Sequence, residues 1–118
     1  MKAADLMALL FLSRDVAHRV HLATRSYSKH KALDKFYHDI VELADTFAEV
    51  YQGCYGLMGN IPIRGSKASA NITAFLEAQV KEIKEGRAEI SDDSEIQNQI
   101  DEILALYHST IYKLKYLA

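Results

Sequence analysis

The amino-acid sequence predicts an all-α four-helix bundle, and two features carry that expectation. Of the 118 residues only five are glycine and one is proline, so the chain has few places to turn. Apolar residues make up 49% and recur at spacings of three and four in four segments, with no useful run at period two. The length supplies one hydrophobic core, so residues 1–118 read as a single domain. A formal charge of −2 argues against a protein that coats nucleic acid, which needs a basic field. Cys54 stands alone, which excludes a disulfide framework and a Cys/His zinc cluster.

The first helix is expected over about residues 3–25, with Leu6, Leu9, Leu10, Val16, Ala17 and Val20 on one face. Met7, Phe11 and Leu12 add apolar groups off that face, a surplus that predicts burial on two sides, as at a subunit contact. The run Leu6–Leu12 is far short of the ~20 residues that span a bilayer. No membrane partner is expected, and a cytoplasmic location is. Ser26–Ser28 mark the first break, with Ser28 as N-cap of a second helix over 29–52. There Leu33, Phe36, Tyr37, Ile40, Ala44, Phe47 and Tyr51 fall within one sector of about 100°.

Residues 53–65 hold four of the five glycines and Pro62 and are read as loop. A third helix over 66–85 uses Ile72, Phe75, Leu76, Val80 and Ile83, and Gly86 ends it. The fourth, over 92–117, opens on Asp92, Asp93 and Glu95, which suit the helix dipole, and continues through Ile96, Ile100, Ile103, Leu104, Tyr107, Ile111 and Leu114. About 13 extended residues reach roughly 43–47 Å, and the second helix is about 36 Å long. Both a long crossover between helices two and three and a plain up-down hairpin therefore fit the loop.

One polar stripe has metal-ligand chemistry. Placed at about 100° per residue, His30, Asp34, Asp45, His38 and Glu49 lie between about 0° and about 100° on the second helix, beside the core sector. Imidazoles and carboxylates on one face can hold a divalent or ferric ion. Asp34 and Asp45 are about 16 Å apart along the helix, too far to share an ion within one chain. A second copy packed antiparallel about a two-fold near Asp39 and Ile40 would set His30 and Asp34 against its Asp45 and Glu49. The plain alternative is a solvated face with Lys29, Lys31 and Lys35 as ion-pair partners.

The spacing His30-x3-Asp34, eleven residues to Asp45 and four to Glu49, resembles the ferroxidase motif of the Dps branch of the ferritin-like superfamily. The words HLATR at 21–25 and LADTFAE at 43–49 are similar to Dps helix segments as well. The resemblance covers roughly residues 20–53 and implies a ferritin-like homo-oligomer. It also implies an inter-subunit iron site of His30 and Asp34 from one chain and Asp45 and Glu49 from the other. His21 is the nearest candidate for a further ligand, and iron or another divalent metal is the implied cofactor.

The stretch TRSYSKHKALDKFYHDI at 24–40 also resembles small uncharacterised tailed-phage proteins. That resemblance implies an alternative of another class, a non-enzymatic protein of the host cytoplasm that sequesters a nucleotide-like signal or blocks a host defence protein. Its candidate site is Arg64, Ser66 and Lys67, where a guanidinium, a hydroxyl and an ammonium meet the expected start of the third helix and could cradle an anion. Nucleophilic catalysis has little support, since nothing in the sequence pairs Cys54 with a base.

Overall fold

The computed structural model of the chain describes residues 1–66 and 71–118. Among them are four α-helices and no strand: α1 (Ala3–Ala23), α2 (Tyr27–Tyr55), α3 (Ile72–Gly86) and α4 (Ser94–Tyr116), with one 3-10 turn at Arg87–Glu89 before α4. None of these helices is long and apolar enough to cross a membrane.

Local chemistry sets the boundaries. The Ser26 hydroxyl, not that of Ser28, caps α2 by accepting from the Lys29 amide at 3.3 Å. Ser28 instead shares a side-chain hydrogen bond with Ser26. α2 runs three residues past its expected end and stops at Gly56, whose φ of +90° suits glycine alone. α3 starts at Ile72 under an Asn71 cap, with the Asn71 side-chain oxygen Oδ1 accepting from the Ala74 amide at 3.0 Å. Ser66 therefore lies in non-helical chain, not at a helix start. Asp93 occupies the N-cap of α4, and the Ser91 hydroxyl accepts from its amide at 2.9 Å.

The core forms where the periodicity puts it. Leu33, Phe36, Ile40, Ala44 and Phe47 of α2 are buried, while Tyr37, at the sector's edge, and Tyr51, near the helix's C-terminal end, lie half-buried. They meet Leu6, Leu9, Leu10 and Ala17 of α1, Leu76 and Ile83 of α3, and Ile96, Ile100, Ile103 and Tyr107 of α4. Tyr107 is the largest fully buried side chain, and its hydroxyl donates to the buried Ser13 hydroxyl at 2.7 Å.

α2 packs between α1 and α4, while α3 packs on α4 and on α1, so the order round the bundle is α1, α2, α4, α3. The segment after α2 begins beside the first turn of α1, where Tyr55, Leu57 and Met58 share a cleft with Lys2, Ala3 and Ile90. It then runs along α1, with Ile61–Arg64 against Ala8, Phe11, Leu12 and Asp15. By Gly65 and Ser66 it has reached Val16, Arg19 and Val20. This strap carries the chain toward the opposite end, so α3 runs back parallel to α2, and its last residue Gly86 meets the Met1 side chain. A bidentate Arg64–Glu82 pair at 2.7 and 2.8 Å ties the strap to α3. Part of the apolar surplus of α1 is thus covered by the chain itself. Phe11 keeps 44% of its surface exposed.

Candidate functional site: a histidine and carboxylate corner between α1 and α2

The tight turn at Thr24–Ser26 brings the end of α1 against the start of α2, and two histidines close the corner. His21 Nδ1 lies 2.7 Å from the carbonyl oxygen of His30, and His30 Nδ1 lies 2.8 Å from that of His21. A carbonyl oxygen only accepts, so both Nδ1 atoms carry the proton. In the neutral rings this leaves each Nε2 with its lone pair. The imidazoles stack with centroids 3.7 Å apart. The His21 carbonyl belongs to the last turn of α1, where helix carbonyls lack intrahelical partners, so His30 also caps that helix.

Asp34 stands one turn beyond His30. Its Oδ1 is 4.0 Å from His21 Nε2, and His38 Nδ1 donates to its backbone carbonyl at 2.8 Å. His38 is thereby the third ring held with Nε2 unprotonated when neutral. Tyr37 completes the corner, stacking on His18 at 4.1 Å and on His38 at 4.4 Å. Burial first, then the Asp34 carboxylate beside it, pushes the Tyr37 phenol above its ordinary pKa.

An imidazole that ligates a metal normally gives its other N–H to a carbonyl or carboxylate, which fixes the ring and the tautomer. His21, His30 and His38 all meet that condition. Two donors on one tetrahedral ion, each about 2.1 Å from it, stand roughly 3.4 Å apart. The 4.0 Å between His21 Nε2 and Asp34 Oδ1 is close to that spacing. The described residues of one chain nevertheless contain no group of three His, Cys, Asp or Glu side chains able to hold a metal ion.

Of the stripe residues and His21, the structure brings together His21, His30, Asp34 and His38. Asp45 and Glu49 lie farther along the same flank of α2, both exposed, and among the described residues neither makes a hydrogen bond or ion pair. His18 and Tyr37 were not singled out as parts of this corner. The three-residue spacing of His18 and His21, which sets both on one face of α1, is the signal that points to His18.

The second candidate site is arranged differently from its expectation. Arg64 is engaged by Glu82, whose carboxyl the guanidinium holds below the usual carboxylate range. Ser66 is exposed in the strap, and Lys67 lies outside the described residues. The Cys54 thiol faces Glu95 at 3.8 Å, and burial with that neighbouring carboxylate raises its pKa, the reverse of what an activated nucleophile needs.

Comparison with known proteins adds relatives of unassigned role. The chain is 28% identical over 115 residues to an uncharacterised 14.6 kDa protein from the mobD–ri intergenic region of Enterobacteria phage T4, covering 96% of this chain and 88% of that one. No solved structure matches. A family model described as "Family of unknown function (DUF5856)" matches residues 21–114, and the chain belongs to that family.

Proposed function

We propose that the chain works as a Dps-like, homo-oligomeric helical bundle that binds iron or another divalent ion between two-fold-related copies. His21, His30 and Asp34 of one copy would hold the ion together with Asp45 and Glu49 of the other. The observation that carries this reading is the fixing of His21, His30 and His38 through Nδ1, with Nε2 left to accept a metal beside Asp34. Two further observations support it. Asp45 and Glu49 are exposed and without partners, as donors reserved for another chain would be. The strap makes α2 and α3 parallel, as the ferritin-like resemblance implies. A ferrous ion held there would bring redox chemistry with dioxygen as the oxidant. The chain's own part is to supply neutral imidazole and carboxylate donors in fixed orientations, a mixed set that suits iron and zinc alike.

The test is aerobic addition of ferrous ion to purified protein, followed optically, with elemental analysis after gel filtration. Expected outcomes are oxidation faster than in buffer and bound metal in the wild type. Both should be lost in Asp34→Ala and in the doubly substituted Asp45→Ala/Glu49→Ala chain. Absence of bound iron or zinc in the wild-type protein would overturn the reading.

A further inference from the structure

The near-neutral total charge conceals a segregation along α2 and α4. In α2 the lysines Lys29, Lys31 and Lys35 all precede residue 36, and the remainder holds Asp39, Glu42, Asp45 and Glu49 with no Lys or Arg. α4 is the reverse, with Glu95, Asp101 and Glu102 first and Lys113 and Lys115 in its last turn. The two helices pack side by side, and their lysine-bearing ends come together. There they flank a groove of about 380 Å³ lined by Tyr27, Lys31, Ala32, Lys35, Lys113 and Leu117.

Helix stability explains only half of this arrangement. Cations in the last turn of α4 complement the helix dipole, but lysines in the opening turns of α2 oppose it. α1 and α4 carry Asp5 and Glu95 in their first turns, whereas α2 has no acid there. Ion pairing absorbs Lys35, at 2.7 Å from Asp39, and Lys115, at 3.0 Å from Glu77. Among the described residues the Lys31 and Lys113 ammonium groups have no such partner. Beside them Tyr27 leaves 74% of its surface exposed at the groove's rim. Two ammonium groups lining one groove suit a phosphate, and an exposed tyrosine ring in the same groove as the apolar Ala32 and Leu117 suits the face of a base. A volume of about 380 Å³ is in the range of small-ligand sites.

From this we infer that the α2/α4 groove binds a nucleobase joined to phosphate, with Lys31 and Lys113 on the phosphate and Tyr27 against the base. A free nucleotide and the end of a single strand share that chemistry. The inference does not rest on the metal reading, and its test contains no metal. Fluorescence anisotropy and calorimetry would use ADP and a fluorescein-labelled oligothymidylate as probes, at low and at physiological salt. Expected is binding of at least one probe that weakens as salt rises. The Lys31→Ala/Lys113→Ala chain should lose at least tenfold in affinity, and a Lys81→Ala/Lys84→Ala control on α3 should lose little. Tyr27→Ala should weaken the same probe while leaving inorganic pyrophosphate unaffected. Binding of ADP assigns a free nucleotide as ligand, and binding of the oligonucleotide alone assigns a strand. No binding of either probe by wild type, or equal affinities for wild type and the double lysine variant with its helicity intact, would overturn the proposal.

Discussion

Tyr107 shows how narrowly a buried polar contact is balanced. Its ring packs edge-on against Phe36, and its hydroxyl donates to Ser13 where neither residue meets solvent. Burial raises the pKa of the phenol, so it remains a donor throughout the ordinary pH range. Tyr107→Phe should therefore cost about 1–3 kcal/mol, because it strands the Ser13 hydroxyl in the core. Ser13→Ala strands the tyrosine hydroxyl instead. The double substitution should cost less than the two single changes added together, since it leaves neither group unpaired. Urea denaturation of the four chains measures this cycle, and strictly additive costs would show that the two hydroxyls are not coupled. The His21–His30 clasp is a pair of reciprocal partners, and it differs in consequence. Each ring satisfies the other residue's carbonyl while leaving Nε2 available, so the same contacts that hold α1 to α2 also orient the candidate ligands.

At the level of elements, the strap is the part of the fold that local pattern could least specify. Its residues are glycine-rich and weakly apolar, and its length suits a hairpin or a crossover equally. What favours the crossover is remote in sequence: Ile61–Arg64 lie along the apolar surplus of α1, and Arg64 grips Glu82. That pair is partly exposed, so Arg64→Ala should cost under ~1 kcal/mol. The sign of its pH dependence follows from Glu82, whose carboxyl is held below its ordinary value chiefly by the hydrogen bonds from Arg64. The stabilisation is present above the carboxyl's unfolded-state pKa and fades as pH falls through the lowered folded-state value. Urea midpoints of wild type and Arg64→Ala should therefore differ slightly at pH 7 and converge under acid. A difference that stayed constant would assign the effect to packing of the Arg64 stem. The helices themselves were legible because periodicity reports burial directly. Leu33, Phe36, Ile40, Ala44 and Phe47 lie in the core as their spacing requires. The ends were less so: Ser26 and Ser28 compete for one cap, and α3 starts at its Asn71 cap rather than near residue 66. The corner was legible only in outline. His30 and Asp34 share a helix, so a wheel relates them, but the reciprocal bonds with His21 cross a turn that no wheel describes.

For the whole molecule, a net charge of −2 averages over a lysine-bearing end of α2 and α4 and the carboxylate-rich remainder of those helices. The candidate metal donors are likewise divided, with His21, His30 and Asp34 toward one end of α2 and Asp45 and Glu49 farther along it. Under the proposed two-fold arrangement, metal binding and self-association favour each other, because each site draws on both chains. Light scattering should accordingly show a larger dimer fraction when ferrous or zinc ion is added to dilute protein. Shared sites also make two inactive chains complementary. A chain carrying His30→Ala/Asp34→Ala lacks one half of every site, and a chain carrying Asp45→Ala/Glu49→Ala lacks the other. A heterodimer of the two has one site with both halves damaged and one with both halves intact. Equal mixing with free exchange makes about half of all dimers mixed, so metal capacity should recover to about a quarter of wild type. Elemental analysis after refolding the two variants together reads this number directly. Recovery no greater than that of either variant alone would show that the donors do not come from two chains, while bound metal near a quarter of the wild-type content would place one intact site in each mixed dimer.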